Sequence, residues 1–227
     1  MKGVQLALPE PVPPRRRGGK RVGAGRKRRV GARACVAHRC RPEHDIRHPV
    51  HVTLRVAKGL PSFRNERIYR AVEAAVRSTR RDDFRILEFS VQEDHIHTLV
   101  EAGAKSSLEC GMKSLVARIT KRVKKVLGVV RAKLWGDRYH RRDLTSPRQV
   151  RNALVYVLSN FKKHLRIEDG TPRIDLRSSA QWFRGWIQTR KLPEEPSPVE
   201  PPRTWLARVG WRKHGLIHPG EAPRAPR

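Results

Sequence analysis

The sequence predicts an α+β fold, an antiparallel sheet with helices packed on it. Three patterns carry that prediction. His48–Val56 alternates apolar and polar residues with a period of two, as a half-buried strand does. A second and third alternating run meet at Glu93-Asp94, which reads as a tight β-hairpin. Three further stretches carry apolar residues at intervals of three and four, the spacing of amphipathic helices.

In chain order, residues 1–47 are rich in Pro, Gly and Arg and have little to bury. Such a segment cannot offset its chain entropy by packing, so a disordered basic arm is expected. Arg26, Lys27, Arg28 and Arg29 form its densest cationic run. They suit contact with phosphates, and a generic solubilising or nucleoid-targeting tail is the plainer alternative. Cys35, His38, Cys40 and His44 lie close together, but the spacing is cramped for zinc and no second ligand cluster follows.

From His48 the character changes. Val50, Val52, Leu54 and Val56 share one face of the first strand, and His51, Thr53 and Arg55 share the other. Gly59, Pro61 and Ser62 mark a turn. Ile68, Val72, Ala75, Val76 and Thr79 then predict a helix over about 64–80. Leu87, Phe89 and Val91 alternate before the hairpin turn, and Ile96, Thr98 and Val100 after it. Gly103 and Ser106-Ser107 end the hairpin and cap a helix over about 107–128. That helix carries Leu108, Met112, Leu115, Ile119, Val123 and Val126 on one side. Lys113, Arg118, Lys121, Arg122, Lys124 and Lys125 cover much of the rest. A cationic helix face is often only a solvated face, but here acids are nearly absent after Glu109, which points to phosphate contact.

Leu134–Leu144 (LWGDRYHRRDL) reads as a short strand or extended segment. Ser146 caps and Pro147 opens a last long helix. Its apolar stripe is Val150, Ala153, Leu154, Val157, Leu158, Phe161 and Leu165, and its polar stripe is Gln149, Asn152, Tyr156, Asn160 and Lys163. Strand, helix, strand, strand, helix, extended segment and helix, in that order over 48–166, match the ferredoxin-like pattern. Residues 167–227 form an extended C-terminal tail with a Pro-rich linker (KLPEEPSPVEPPRT). Trp182, Phe183 and Trp186 precede the linker and suit a short helix packed back on the domain; two tryptophans in a basic stretch follow it, and these dock on the core, with stacking on bases as the alternative.

The net charge of +30 on 227 residues exceeds what solubility requires and points to a persistent anionic partner, most simply nucleic acid. No apolar run approaches a membrane span and no signal-peptide pattern appears, so a soluble, cytoplasmic, nucleoid-associated protein is expected. Three cysteines make no disulfide framework.

The chemistry concentrates in His95-Ile96-His97. Two histidines one apart on a strand project from the same face and are able to share one divalent cation; two ordinary histidines are the bland alternative. Tyr156 and Asn160 lie one turn apart on the last helix. A cation held by two imidazoles and one side-chain oxygen keeps open positions and polarises a phosphate oxygen. Such an oxygen-rich setting favours Mg²⁺ or Mn²⁺. A tyrosine attacking a phosphodiester exchanges one phosphoester for another, so no ATP is needed, and no GxxxxGK[ST] loop is present.

HPVHVTLRV, DHIHTLVEA, LWGDRYHRR and the helix with YVLSNFKKH together resemble the single-tyrosine HUH transposases, IS200-like and REP-associated. The resemblance covers about half of the chain. It implies metal-dependent nicking and joining of single-stranded DNA carrying a hairpin, through a covalent phosphotyrosine intermediate, and a bacterial setting. It implies Tyr156 as nucleophile, His95 and His97 as metal ligands, and Asn160 as a third ligand. Phe161 stands where many relatives have proline, and Tyr139, a second tyrosine in a basic segment, is the alternative nucleophile. A non-catalytic hairpin DNA- or RNA-binding protein on the same fold is the alternative function. Oligomeric state, monomer or dimer, is left open by the sequence.

Overall fold

The computed structural model describes residues 41–165, 170–188 and 191–223. Arg26, Lys27, Arg28, Arg29, Cys35, His38 and Cys40 lie outside the described residues, as does most of the expected disordered arm.

The elements follow the order β1 (Val50–Arg55), α1 (Glu66–Ser78), β2 (Phe84–Val91), β3 (His95–Ala102), α2 (Lys105–Leu127), β4 (His140–Asp143), α3 (Pro147–Ser159), α4 (Phe161–His164) and α5 (Trp205–Arg208). The four strands form one sheet in the order β2-β3-β1-β4. Every neighbouring pair is antiparallel. Element order and strand order together give the ferredoxin-like arrangement.

The period-two pattern decides what each face meets. Val50, Val52, Leu54, Ile96 and Val100 point to the first face and are buried against Val72 of α1 and Leu108, Met112, Leu115 and Ile119 of α2. Gly111 lets α2 come close, because a Cβ there would lie 2.2 Å from the Phe84 ring. The helix limits shift slightly from the predicted ones. Asn65 caps α1, its side chain accepting from the Arg67 N–H. Ala104 precedes α2 without a side-chain cap, so the Ser106-Ser107 pair falls inside the first turn instead of capping it. Gly128 ends α2 in the left-handed region at φ 66°.

The second face is covered as well. A register irregularity between Ile86 and Glu88 turns Leu87 out of alternation with Phe89. Leu87 and Leu99 then pack with Val150, Leu154, Val155 and Leu158 of α3. Ser146 caps α3 as expected, its hydroxyl accepting from the Gln149 N–H at 3.3 Å. The long helix predicted to run on through Leu165 breaks at Asn160 into α3 and α4, and Leu165 is exposed instead of joining the apolar stripe.

The tail runs mostly without regular structure, yet several of its described residues are packed. Ala180, Trp186, Leu206, Trp211 and Ile217 join the second-face core. The Arg64 guanidinium meets the buried Asp175 carboxylate at 2.7 Å. The buried Lys162 ammonium donates to the Thr171 carbonyl at 3.0 Å and the Pro219 carbonyl at 2.5 Å. Arg151 of α3 donates to the Gly215 carbonyl and to Glu221. Among the described residues no helix is long and apolar enough to cross a membrane.

Candidate active site

The register of three strands builds the site. In the β1–β3 ladder Thr53 stands opposite His97 and Arg55 opposite His95. In the β1–β4 ladder His51 stands opposite Arg142 and Thr53 opposite His140. Because alternate residues share a face, His51, Thr53, Arg55, His95 and His97 of the two central strands and His140 and Arg142 of the edge strand β4 all point to the second face. Polar residues stand here where the same strands carry valine and isoleucine on the first face.

α3 crosses this patch with its polar stripe inward. Tyr156 and Asn160 share a helical face. The Tyr156 ring centroid lies 4.9 Å from that of His97 and 5.7 Å from that of His51, both edge-on. The His95 and His97 rings are 4.6 Å apart. Asn160 is buried, and its Nδ2 lies 3.4 Å from His97 Nε2. The four residues singled out in the sequence for chemistry therefore converge.

Both imidazoles of the pair are oriented through Nδ1. His95 Nδ1 is 2.6 Å from Asp94 Oδ1. His97 Nδ1 is 3.1 Å from Thr53 Oγ1 and 3.3 Å from His51 Nε2. Anchoring one ring nitrogen leaves the other, Nε2, as the atom available to a partner, the usual arrangement around a histidine-bound metal. The Asn160 amide reaches His97 on that Nε2 side, and an amide rotated by half a turn presents its oxygen there instead. Two imidazole nitrogens and one amide oxygen fit a divalent cation with open positions. Among the described residues no group of three or more His, Cys, Asp and Glu is arranged to hold a metal, and the Asn160 amide is the side-chain oxygen source beside His97.

The field around these groups is set by burial and by arginine. Burial pushes the Tyr156 phenol above its ordinary value, and the Arg55 charge opposes that. Burial holds His51 neutral, pushed down to about 4, with His140 and Arg142 adding to the effect. Burial alone would raise the Asp94 carboxyl, but the hydrogen bond and charge of His95 and the charge of Arg55 hold it below the carboxylate range.

Other expected residues lie elsewhere. Lys113, Arg118, Lys121, Arg122 and Lys125 are exposed and Lys124 is half-buried, all on α2. That helix packs on the first face, so the sheet separates them from the histidines. Lys163 is exposed just beyond Asn160. Tyr139 packs against the first-face core under the Arg41 guanidinium, 3.7 Å from its ring centroid, and not with the histidines. His51, Thr53, Arg55 and Arg142 were not singled out for chemistry. Their signal was present in β1, where they alternate with buried valines.

No curated protein matches this chain. A solved structure of a REP-associated tyrosine transposase bound to a REP hairpin is similar at 17% identity, over 57% of this chain and 74% of that one, with a TM-score of 0.46. The family model for IS200-like transposases matches residues 46–160, which takes in every strand, both histidines, Tyr156 and Asn160. The chain belongs to the IS200-like transposase family.

Proposed function

We propose that this transposase nicks and joins single-stranded DNA carrying a hairpin, with Tyr156 as the nucleophile. The observation that carries this reading is the edge-on approach of the Tyr156 ring to His97, at 4.9 Å between centroids. The Tyr156 hydroxyl oxygen attacks a backbone phosphorus, and its proton leaves to solvent. The phosphorus–oxygen bond to one deoxyribose breaks, and that oxygen takes up a proton to become a free hydroxyl. One phosphoester replaces another, so the step is reversible and the same tyrosine rejoins strands.

His95, His97 and Asn160 are the residues that would hold Mg²⁺ or Mn²⁺. When bound, such an ion polarises the phosphate oxygens and orients the scissile bond. Asp94, Thr53 and His51 keep the two imidazoles in place through their Nδ1 atoms. Arg55, across the ladder from His95, supplies positive charge beside the phenol, which suits both the phosphate and a developing phenolate. The exposed cations of α2 lie across the sheet, so they suit another part of the DNA, such as a hairpin stem. Lys163 and the run Arg26, Lys27, Arg28 and Arg29 add further phosphate contacts in this reading.

Incubation with hairpin-bearing single-stranded DNA and Mn²⁺, followed by denaturing electrophoresis, tests it. Wild-type protein is expected to carry a covalent oligonucleotide and Tyr156→Phe none, with DNA binding retained. A protein that binds the hairpin tightly and never forms the adduct would instead be a binding module on this fold.

A further inference from the structure

A further surface stands along the same face of the sheet, away from the histidines. Its foundation is the buried Glu101 carboxylate on β3, four residues beyond His97, about 13 Å along the strand. Glu101 accepts from the Arg203 N–H at 2.8 Å, from the Thr204 N–H at 3.0 Å and from the Thr204 hydroxyl at 2.7 Å. Three bonds to one buried carboxylate fix where α5 begins. Trp205 follows directly, and it is 52% exposed, whereas Trp211 nearby is buried.

The exposed indole is held rigidly. A Cβ on Gly210 would lie 2.6 Å from its Cζ3, so the ring rests on the Gly210 backbone, with no side chain between. It borders a groove of about 540 Å³ whose apolar wall includes Ile46, itself 58% exposed. Two cations are placed beside it: Arg203 is exposed at the groove, and Lys213 Nζ lies 5.1 Å from the indole centroid. Residues 201–220 contain no acid at all. Arg47, also at the groove, is already paired with Asp45 at 2.7 Å and adds little spare charge.

An aromatic surface open to solvent, with an apolar wall and cations beside it, matches the demands of an unpaired nucleotide. The base stacks on the ring and the phosphates meet the cations. We infer that the Trp205 groove binds single-stranded DNA, taking a base of the segment that flanks the strand held at the histidine pair. This inference rests on the reading of single-stranded DNA as the partner, but not on Tyr156 chemistry.

The test uses the full chain and a single-stranded 20-mer carrying 5-iododeoxyuridine. Ultraviolet cross-linking should mark the tryptic peptide Thr204–Arg208. Trp205→Ala should weaken binding about five- to hundredfold, and Trp205→Phe should keep most of it. Circular dichroism checks that both variants are folded. Tyr156→Phe should leave the cross-link in place, so the groove and the covalent chemistry fail separately. Cross-links confined to other peptides, or a folded Trp205→Ala protein that binds like wild type, would overturn the proposal. So would a change of oligomeric mass on Trp205→Ala without loss of DNA affinity, since the occupant would then be a second copy of the chain.

Discussion

Replacing Glu88 by glutamine should remove a stability penalty that grows with pH. Glu88 lies on β2 opposite Leu99, buried under the short helical turn Ser179–Gln181. Its Oε2 is 2.5 Å from Ser179 Oγ, and Ser179 in turn bonds the Phe89 N–H and carbonyl. Burial pushes this carboxyl up to about 8, with the Ser179 hydrogen bond acting in the opposite direction. In the unfolded chain the group titrates near an ordinary value of about 4.3. Between the two values the folded state holds a proton that the unfolded state has lost. Stability from this group is therefore complete below about pH 4 and falls as pH rises toward 8. The slope reaches ~1.4 kcal/mol per pH unit, so pH 5 to pH 7 costs on the order of 2–3 kcal/mol. Glutamine keeps the shape and has no proton to lose. Its amide donates to Ser179 Oγ while Ser179 donates to the Phe89 carbonyl. Urea unfolding of both proteins at pH 5, 6, 7 and 8 gives the difference directly, with all other titrations cancelling. Glu88→Gln should gain on wild type steadily as pH rises. A difference that stays flat across that range would refute the buried-acid argument.

Three more outcomes follow from the geometry. Thr53→Val removes a hydroxyl 3.1 Å from His97 Nδ1, so Mn²⁺ affinity should fall about tenfold or more, read as free Mn²⁺ by electron paramagnetic resonance; an unchanged affinity would deny Thr53 that orienting role. Gly111→Ala sets a methyl 2.2 Å from the buried Phe84 ring and should cost about 1–3 kcal/mol in urea unfolding. Lys162→Met leaves the Thr171 and Pro219 carbonyls without that ammonium, which should cost about 1–3 kcal/mol and speed proteolysis of the tail; equal cleavage rates would show that the tail holds without it.

Much of this was legible in the chain. The β1 alternation, the hairpin and the capped last helix are local patterns, and local sterics and burial decide them. The predicted helix over 64–80 and the observed α1, Glu66–Ser78, differ only at the ends, where caps matter. What a single sequence does not carry is the second face. Tyr156 and Asn160 belong to a stripe that reads as solvent-facing, because residue polarity cannot distinguish water from a patch of histidines across a sheet. Only the pairing of β1 with β3 brings His51 and Thr53 behind His97, and only its pairing with β4 adds His140 and Arg142. Likewise the cations of α2 read as phosphate contacts with no position relative to Tyr156, until the topology sets them on the other side of the sheet. Trp205 and Trp211 are alike in composition and context, and tertiary packing alone buries one and exposes the other.

The most direct test of the central claim is the identity of the residue that becomes bonded to DNA. After reaction with a hairpin-bearing single strand and Mn²⁺, nuclease and trypsin digestion and mass spectrometry should find a nucleotide on the peptide Asn152–Lys162, at Tyr156. A nucleotide on Tyr139, or an unmodified Tyr156 in protein that has demonstrably cut the strand, would contradict the account.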